Sequence, residues 1–102
     1  MCQVYFLIDP RSLDVFYVGI GNAGRAQVHI ATTKNKLRKG LPLHHGRHVI
    51  IADLLSAGLS PIIQIVHDHL SKDEAKRLEV EYIAKLGRID LGTGKLTNRT
   101  RG

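Results

Sequence analysis

Short apolar runs separated by turn residues characterise the first twenty positions of the chain. Residues 4–8 are apolar or aromatic, and the segment Asp9-Pro10-Arg11-Ser12 follows them. Asp and Ser side chains bond to nearby backbone groups and Pro fixes φ, so this segment predicts a turn. Residues 15–18 are predicted to return as the second strand of an antiparallel hairpin, which Gly19 and Gly21 end.

The rest of the chain combines helical patterning with one further strand. The predicted helices cover residues 23–38, 48–57 and 72–86, and the predicted third strand covers residues 62–66. Ser71 and Glu74 form a capping box at the start of the third helix, and the residues after Gly87 are expected to be rich in loops. The buried side of the second helix is predicted to include Val49, Ile50, Ala52 and Leu54. This order predicts one α+β domain over residues 1–102, a small antiparallel sheet flanked by helices.

The third predicted helix carries a carboxylate on its apolar side. At about 100° per residue, one stripe of that helix is formed by Ala75, Leu78, Tyr82, Ile83 and Leu86. Glu79 falls inside the stripe, whereas Glu81 points nearly the opposite way, between Arg77 and Lys85. A carboxylate that faces the interior must be paired, hydrogen-bonded or bound to a metal. The alternative is a glutamate at the rim of the stripe that reaches solvent.

The whole chain has a net charge of +6, and its positive charge is concentrated in the first half. No acidic residue occurs between Asp14 and Asp53, and this stretch contains Arg25, Lys34, Lys36, Arg38, Lys39 and Arg47. A second basic group near the end consists of Lys95, Arg99 and Arg101. A long stretch with one sign of charge favours contact with a phosphate backbone over a simple solvated surface. Three Tyr and two Phe are too few for a platform that stacks bases.

The histidines and the single cysteine bear on metal binding, on disulfide formation and on the compartment of the protein. His44, His45 and His48 form one group, and His67 and His69 are expected on one face of the third strand's end. No cysteine spacing supports zinc binding, so the first group is interpreted as an addition to the phosphate-facing surface. Cys2 alone cannot form an internal disulfide, and we find no signal peptide and no apolar run long enough to span a membrane. We therefore expect a cytoplasmic protein.

Side chains suited to phosphodiester hydrolysis occur in several of the predicted elements. Tyr5 and Tyr17 lie on the predicted hairpin, and Arg25 and His29 follow it one helical turn apart. Arginine can hold a phosphate through two hydrogen bonds. Tyrosine titrates near pH 10, so it needs a neighbouring cation or imidazole to act as a base. One glutamate, such as Glu79, suits one hard divalent ion whose shell is completed by water and phosphate oxygen.

This ordered set resembles the GIY-YIG nuclease family. The matching segments are Val4-Tyr5, Tyr17-Val18-Gly19, Arg25 with His29, Leu78-Glu79 with Tyr82-Ile83, and Leu96-Thr97-Asn98. The resemblance covers residues 4–98, and the tail is most similar to small phage or bacterial members and to the nuclease domain of animal ankyrin-repeat and LEM-domain enzymes. Gln3 stands where Gly is usual in the family. Ile20 stands where many members have a Lys that helps to deprotonate the catalytic tyrosine.

The resemblance implies a DNA endonuclease that uses Mg²⁺ or Mn²⁺ and leaves 5′-phosphate and 3′-hydroxyl ends. Glu79 is then the metal ligand and Arg25 holds a phosphate. Our hypothesis makes Tyr5 the proton acceptor, with His29 assisting and Tyr17 holding the phosphate or the water, while the exchanged assignment of the tyrosines stays open. Nucleic-acid contacts are expected from Lys34, Lys36, Arg38, Lys39, Arg47 and Asn98.

Two other functions fit parts of the sequence. One is a nucleic-acid-binding module of the same fold with a degraded site, which Gln3 and Ile20 favour. The other is a small basic RNA-binding or ribosome-associated protein, which would leave an inward-facing Glu79 unexplained. We expect no separate targeting domain, so a nuclease is expected to recognise backbone and shape, for example in branched or distorted DNA. A transient dimer that makes a double-strand cut is compatible with the sequence.

Overall fold

Three strands and three α-helices make up the described part of the chain. The computed structural model describes residues 1–100, with strands β1 (Cys2–Ile8), β2 (Val15–Gly21) and β3 (Ile62–Leu70). The helices are α1 (Arg25–Lys39), α2 (Gly46–Ser56) and α3 (Lys72–Leu86), and a 3-10 turn follows at Ile89–Leu91. Both neighbours of β1 are antiparallel to it, in the order β2-β1-β3. The predicted α+β class is confirmed.

The sheet is covered by helices on both faces. Successive residues of a strand point to opposite faces, and on β1 this divides Tyr5 and Leu7 from Val4. One buried cluster joins Tyr5 and Leu7 to Phe16, to Ala26 of α1 and to Ile51 and Leu54 of α2. The other joins Val4 to Val18, Ala75, Ile83 and Leu96. Helices α1 and α2 therefore cover one face of the sheet, and α3 covers the other.

The β1–β2 hairpin closes through the predicted turn and contains one irregularity. Asp9 Oδ1 accepts a hydrogen bond of 2.8 Å from the Arg11 backbone N–H, as expected for an Asp that starts a turn. The pairing then shifts, because Leu7 lies opposite Tyr17 while Ile8 lies opposite Val15. The extra residue, Phe16, packs in the same cluster as Tyr17. This bulge brings both aromatic rings to the face covered by α1 and α2.

Strand β3 is longer than predicted and does not keep its alternation. Its pairing with β1 shifts on both sides of Val4, and His69 has a left-handed φ of 57°. His67 forms a 2.9 Å hydrogen bond with the Tyr82 hydroxyl, whereas the side chain of His69 is 80% exposed. The prediction that these two histidines share a face is therefore wrong, because the additional residue of a bulge changes which way the next side chain points.

Helix α2 begins two residues before its predicted start and buries a different set of residues. Leu54 is fully buried as predicted, but Ile51 is also fully buried and Val49 is 51% exposed. The prediction for Val49 is wrong. Apolar residues occur all round this short helix, so periodicity does not determine which side faces the sheet.

Helix α3 starts where the sequence predicts, and its capping box is complete. The Ser71 hydroxyl accepts from the Glu74 backbone N–H at 3.2 Å, and the Glu74 carboxylate accepts from the Ser71 N–H. Ala75 and Ile83 are buried on its inner side, and Glu79 lies between them. Leu86, at the end of the predicted stripe, is 36% exposed.

The tail after α3 is anchored along the outer edge of β2. Leu96 is fully buried, and the Thr97 backbone N–H and hydroxyl both donate to the Phe16 carbonyl at 2.7 Å. Asn98 continues this line of contacts beside Val18. The segment predicted as loop-rich therefore has a fixed path, which gives the edge strand β2 hydrogen-bond partners.

Candidate active site

Gly19 leaves the space that the Tyr5 ring occupies. The two residues are paired across β1 and β2. A Cβ atom at position 19 would lie 2.3 Å from Tyr5 Cζ and 2.4 Å from its hydroxyl oxygen, so any side chain there would force this ring to shift. Tyr5 is 1% exposed. Burial, followed by the neighbouring Tyr17, strongly raises the pKa of Tyr5, while the charges of Arg25 and Arg47 lower it.

His29 connects the Tyr5 hydroxyl to a guanidinium group. Buried positions 26, 29 and 33 form the inner side of α1, which directs the imidazole toward the sheet. The Tyr5 oxygen and His29 Nε2 are 2.7 Å apart and share a hydrogen bond. On the other side of the ring, Arg47 Nε donates to His29 Nδ1 at 3.3 Å. Burial, and then the charge of Arg47, lowers the pKa of His29 to about 4, so the imidazole is neutral at pH 7.

Tyr17 is half-buried and borders an open cavity. The cavity has a volume of about 240 Å³ and is also lined by Arg47 and Arg99. The guanidinium carbon of Arg47 lies 4.9 Å from the centroid of the Tyr17 ring, a cation–π distance. Burial raises the pKa of Tyr17, and the charges of Arg47 and Arg25 lower it. The Tyr17 ring thus lies against the Arg47 guanidinium at the edge of this cavity.

Arg25 extends over the end of β2. A Cβ at Gly21 would lie 2.6 Å from Arg25 Cγ, so the glycine lets the arginine stem pass directly over the strand. The guanidinium makes no hydrogen bond or ion pair with any residue from 1 to 100, yet its charge lowers the pKa of both tyrosines. It borders a cleft of about 630 Å³ beside the first turn of α1, to which Lys72 adds a second cation.

Glu79 faces inward, as its position on the helix predicts, and is 9% exposed. Within residues 1–100 its carboxylate has no hydrogen bond and no ion pair. Burial raises its pKa, and the charge of Lys76 lowers it. Although α3 covers the opposite face of the sheet from α1, the charge of Glu79 raises the pKa of both Tyr5 and Tyr17. Glu81 is exposed.

Asn98 has a position that differs from the surface contact expected of it. Its side-chain oxygen accepts from the Val18 N–H at 3.0 Å, and its NH₂ group donates to the Val18 carbonyl at 2.9 Å. The amide is buried and imitates the peptide unit of a neighbouring strand. Both of its hydrogen-bonding groups are used inside the protein, so we leave Asn98 out of the candidate nucleic-acid interface.

The basic residues predicted to bind nucleic acid do not all face the site. Arg25, His29 and Lys36 follow one stripe of α1, since they are separated by whole turns. Burial is the main cause that lowers the pKa of His48 to about 4, and the charges of Arg47 and Lys36 add to it. Lys34 and Arg38 each lie about 160° around the helix from Lys36. The side chain of Lys39 is exposed at the end of α1, and Arg101 lies outside the described residues.

The histidines near the start of α2 lie next to His29. The ring of His48 lies 6.1 Å from that of His29 and 5.5 Å from that of His45, measured between centroids. His48 is buried, and its Nδ1 has no hydrogen-bond partner within residues 1–100. The charge of Arg47 is the main cause that lowers the pKa of His45, and Lys36 and Arg99 contribute to it. The predicted addition of His44 and His45 to a basic surface is compatible with their exposure.

The sequence did not indicate that Arg47 contacts His29 and Tyr17 in the site. Its contacts with His29 and Tyr17 join α2 to α1 and β2, and position 47 shows no spacing relation to either residue. The sequence predicts Gly19 as the end of a strand and as the last residue of the segment Tyr17-Val18-Gly19. Its position directly opposite Tyr5, once the hairpin register is known, is the signal that identifies its role.

Comparisons of the chain with protein-family models, with curated proteins and with solved structures found no match. Among residues 1–100, no helix combines the length and the apolar character needed to cross a bilayer. In the same part of the chain, no three His, Cys, Asp or Glu side chains form a group that could hold a metal ion. The interpretation of the site therefore depends on the geometry given above.

Proposed function

We propose that this protein is a metal-dependent DNA endonuclease with a single carboxylate ligand. One observation carries the proposal: two tyrosines, a histidine and two arginines contact one another or shift one another's pKa, together with a buried carboxylate that has no partner within residues 1–100. Phosphodiester hydrolysis requires a proton acceptor for the attacking water and positive charge at the developing phosphorane oxygens. Each requirement has a candidate among these side chains.

The donor set fits a hard divalent ion such as Mg²⁺ or Mn²⁺. Glu79 has a carboxylate without a protein partner in residues 1–100, and such ions use one or two carboxylates together with water and phosphate oxygens. When bound, the ion would supply charge to the phosphate and lower the pKa of a water. The protein supplies the other groups: the Arg25 guanidinium, which has no partner within residues 1–100, can hold a phosphate, and Arg47 holds positive charge beside Tyr17.

The two tyrosines differ in a way that supports Tyr17 as the proton acceptor. Tyr17 borders the open cavity, whereas the Tyr5 hydroxyl is packed against Gly19 and bonded to His29. Burial raises the pKa of Tyr5 strongly, so its phenolate is the harder one to form. We therefore propose the exchanged assignment, with Tyr17 as the base and Tyr5 in a supporting role.

Cleavage of a supercoiled plasmid with Mg²⁺, with and without a chelator, tests the proposed activity. We expect nicked or linear DNA only when the free metal is present. Glu79→Gln should abolish cleavage and leave DNA binding nearly intact, whereas Glu81→Gln, the matched change on the exposed side of the same helix, should cut at close to the wild-type rate. Binding without any cleavage by the wild type would instead support the alternative of a binding module, and an active Glu79→Gln protein would refute the ligand assignment.

Single-atom changes at the tyrosines test the assignment of the base. Tyr17→Phe should reduce the rate by 10²-fold or more, the usual size of a lost general base. Tyr5→Phe should reduce it about 10-fold, as for one hydrogen bond lost in the transition state. A dead Tyr5→Phe protein beside an active Tyr17→Phe protein would reverse the roles.

A pair of charge-matched double variants tests the interface. Lys36→Ala/Arg99→Ala removes two cations near the site, and Lys34→Ala/Arg38→Ala removes two from the far side of α1. The first should lower the slope of log K against log salt by up to about one unit per lost phosphate contact. The second should leave the slope close to that of the wild type. Equal slopes for the two doubles would show that the site-facing stripe is not the interface.

A further inference from the structure

The orientation of the His29 ring is determined by two different partners. Arg47 Nε lies 3.3 Å from Nδ1, and the Tyr5 oxygen lies 2.7 Å from Nε2. A ring turned by a half rotation about the Cβ–Cγ bond would place carbon atoms at both positions and lose both hydrogen bonds. Only the observed orientation satisfies the two neighbours.

The two partners also determine where the imidazole proton lies. A guanidinium group stays protonated in proteins and has no acceptor, so Arg47 Nε–H can only donate and His29 Nδ1 must accept. A neutral imidazole carries one proton, which is then on Nε2. The Nε2–H therefore donates to the Tyr5 oxygen, and the hydroxyl proton of Tyr5 is directed away from the ring.

We infer that Arg47 is a positioning residue that fixes the Nε2–H tautomer of His29 and thereby makes Tyr5 a hydrogen-bond donor at the site. In this arrangement His29 has no lone pair free on Nε2, so it cannot take the Tyr5 proton. Arg47 donates to His29, and His29 donates to Tyr5, so the last free donor of this chain of hydrogen bonds is the Tyr5 hydroxyl. Its catalytic consequence rests on the proposed nuclease function, whereas the tautomer itself does not.

The tautomer is measured on the full-length protein by two-bond ¹H–¹⁵N correlation NMR of the histidine rings near pH 7. We expect His29 of the wild type to show a protonated Nε2 and an unprotonated Nδ1. His29→Gln assigns the signal. A wild-type His29 with its proton on Nδ1 would overturn the inference without any variant and without any assay of DNA cleavage.

Arg47→Lys separates the hydrogen bond from the charge. Lysine places a methylene where arginine has Nε–H and keeps its positive charge one atom further along. We expect the strong preference for Nε2–H to be lost in this variant and to be kept in Lys36→Ala, which removes a nearby cation that does not touch His29. An unchanged tautomer in Arg47→Lys would also overturn the inference.

Kinetics then test whether the fixed tautomer serves the reaction. Arg47→Lys should lower kcat on the order of 10-fold with a smaller change in KM, and adding Tyr5→Phe should cost less than about twofold more, because the donor is already misdirected. Full additivity of the two changes would refute the coupling. A wild-type protein that cuts no DNA would refute the proposed function, while the NMR result would still decide the tautomer.

Discussion

Gly19→Ala is the substitution whose effect can be worked most directly from the structure. The new methyl group would lie 2.3 Å from Tyr5 Cζ, 2.4 Å from its hydroxyl oxygen and 2.7 Å from Cε2. Carbon atoms in contact are normally about 3.5–4.0 Å apart, so the ring must move by more than about 1 Å. A shift of this size breaks the 2.7 Å hydrogen bond between Tyr5 and His29.

Two unfavourable terms and one offsetting term set the magnitude of the destabilisation. Overpacking of this kind costs about 1–3 kcal/mol, and the lost hydrogen bond costs about 0.5–1.5 kcal/mol. The lower entropy of an unfolded chain with alanine offsets about 0.4–1 kcal/mol. We expect the free energy of unfolding to fall by roughly 2–3 kcal/mol and the melting temperature by about 10–20 °C.

A double-mutant cycle with Tyr5→Leu isolates the contact. Leucine lacks the three Tyr5 atoms that the new methyl group meets, so Gly19→Ala in that background should cost less than about 1 kcal/mol. The measurement is urea denaturation followed by circular dichroism for the wild type, both single variants and the double variant. An unchanged midpoint for Gly19→Ala, or additive costs in the cycle, would refute the close approach of strand and ring.

Three further predictions concern stability. The pKa of His29 and that of His48 are both lowered from 6.5 to about 4, mainly by burial. The unfolded chain therefore takes up these protons first, so the free energy of unfolding is highest above about pH 6.5 and falls as the pH drops toward 4. Urea denaturation between these pH values should show the free energy of unfolding falling with the pH, and His48→Gln should make this fall smaller. A wild-type free energy of unfolding that does not change with pH would contradict the burial of neutral rings. Asn98→Ala removes both hydrogen bonds to Val18 and should lower the free energy of unfolding by about 2–3 kcal/mol, measured by thermal denaturation. A change below about 0.5 kcal/mol would show that the stability of β2 does not depend on this amide. Ser71→Ala removes the cap of α3 and should cost about 1 kcal/mol in the same assay, with no loss counting against the capping box.

Local patterns were sufficient for most elements of the fold. The hairpin itself, the capping box at Ser71 and the start of α3 agree with the sequence, because short-range periodicity and side-chain–backbone bonds determine them. The predicted end of the second strand at Gly19 is wrong, since β2 continues to Gly21. The inward direction of Glu79 also follows from helix geometry alone. Patterns failed where one residue changes the phase, as at the β3 bulge before His69, and where a helix such as α2 is apolar all round.

The sequence by itself therefore determined the class of the fold, the concentration of positive charge along the chain and the side chains available for chemistry. Only the tertiary structure decided how those side chains meet. Tyr5, His29 and Arg47 come from three different elements, and their contacts span 24 and 18 positions along the chain. Asn98 reaches Val18 across 80 positions. Such contacts depend on how helices and strands pack around a common core, and no local pattern encodes that arrangement.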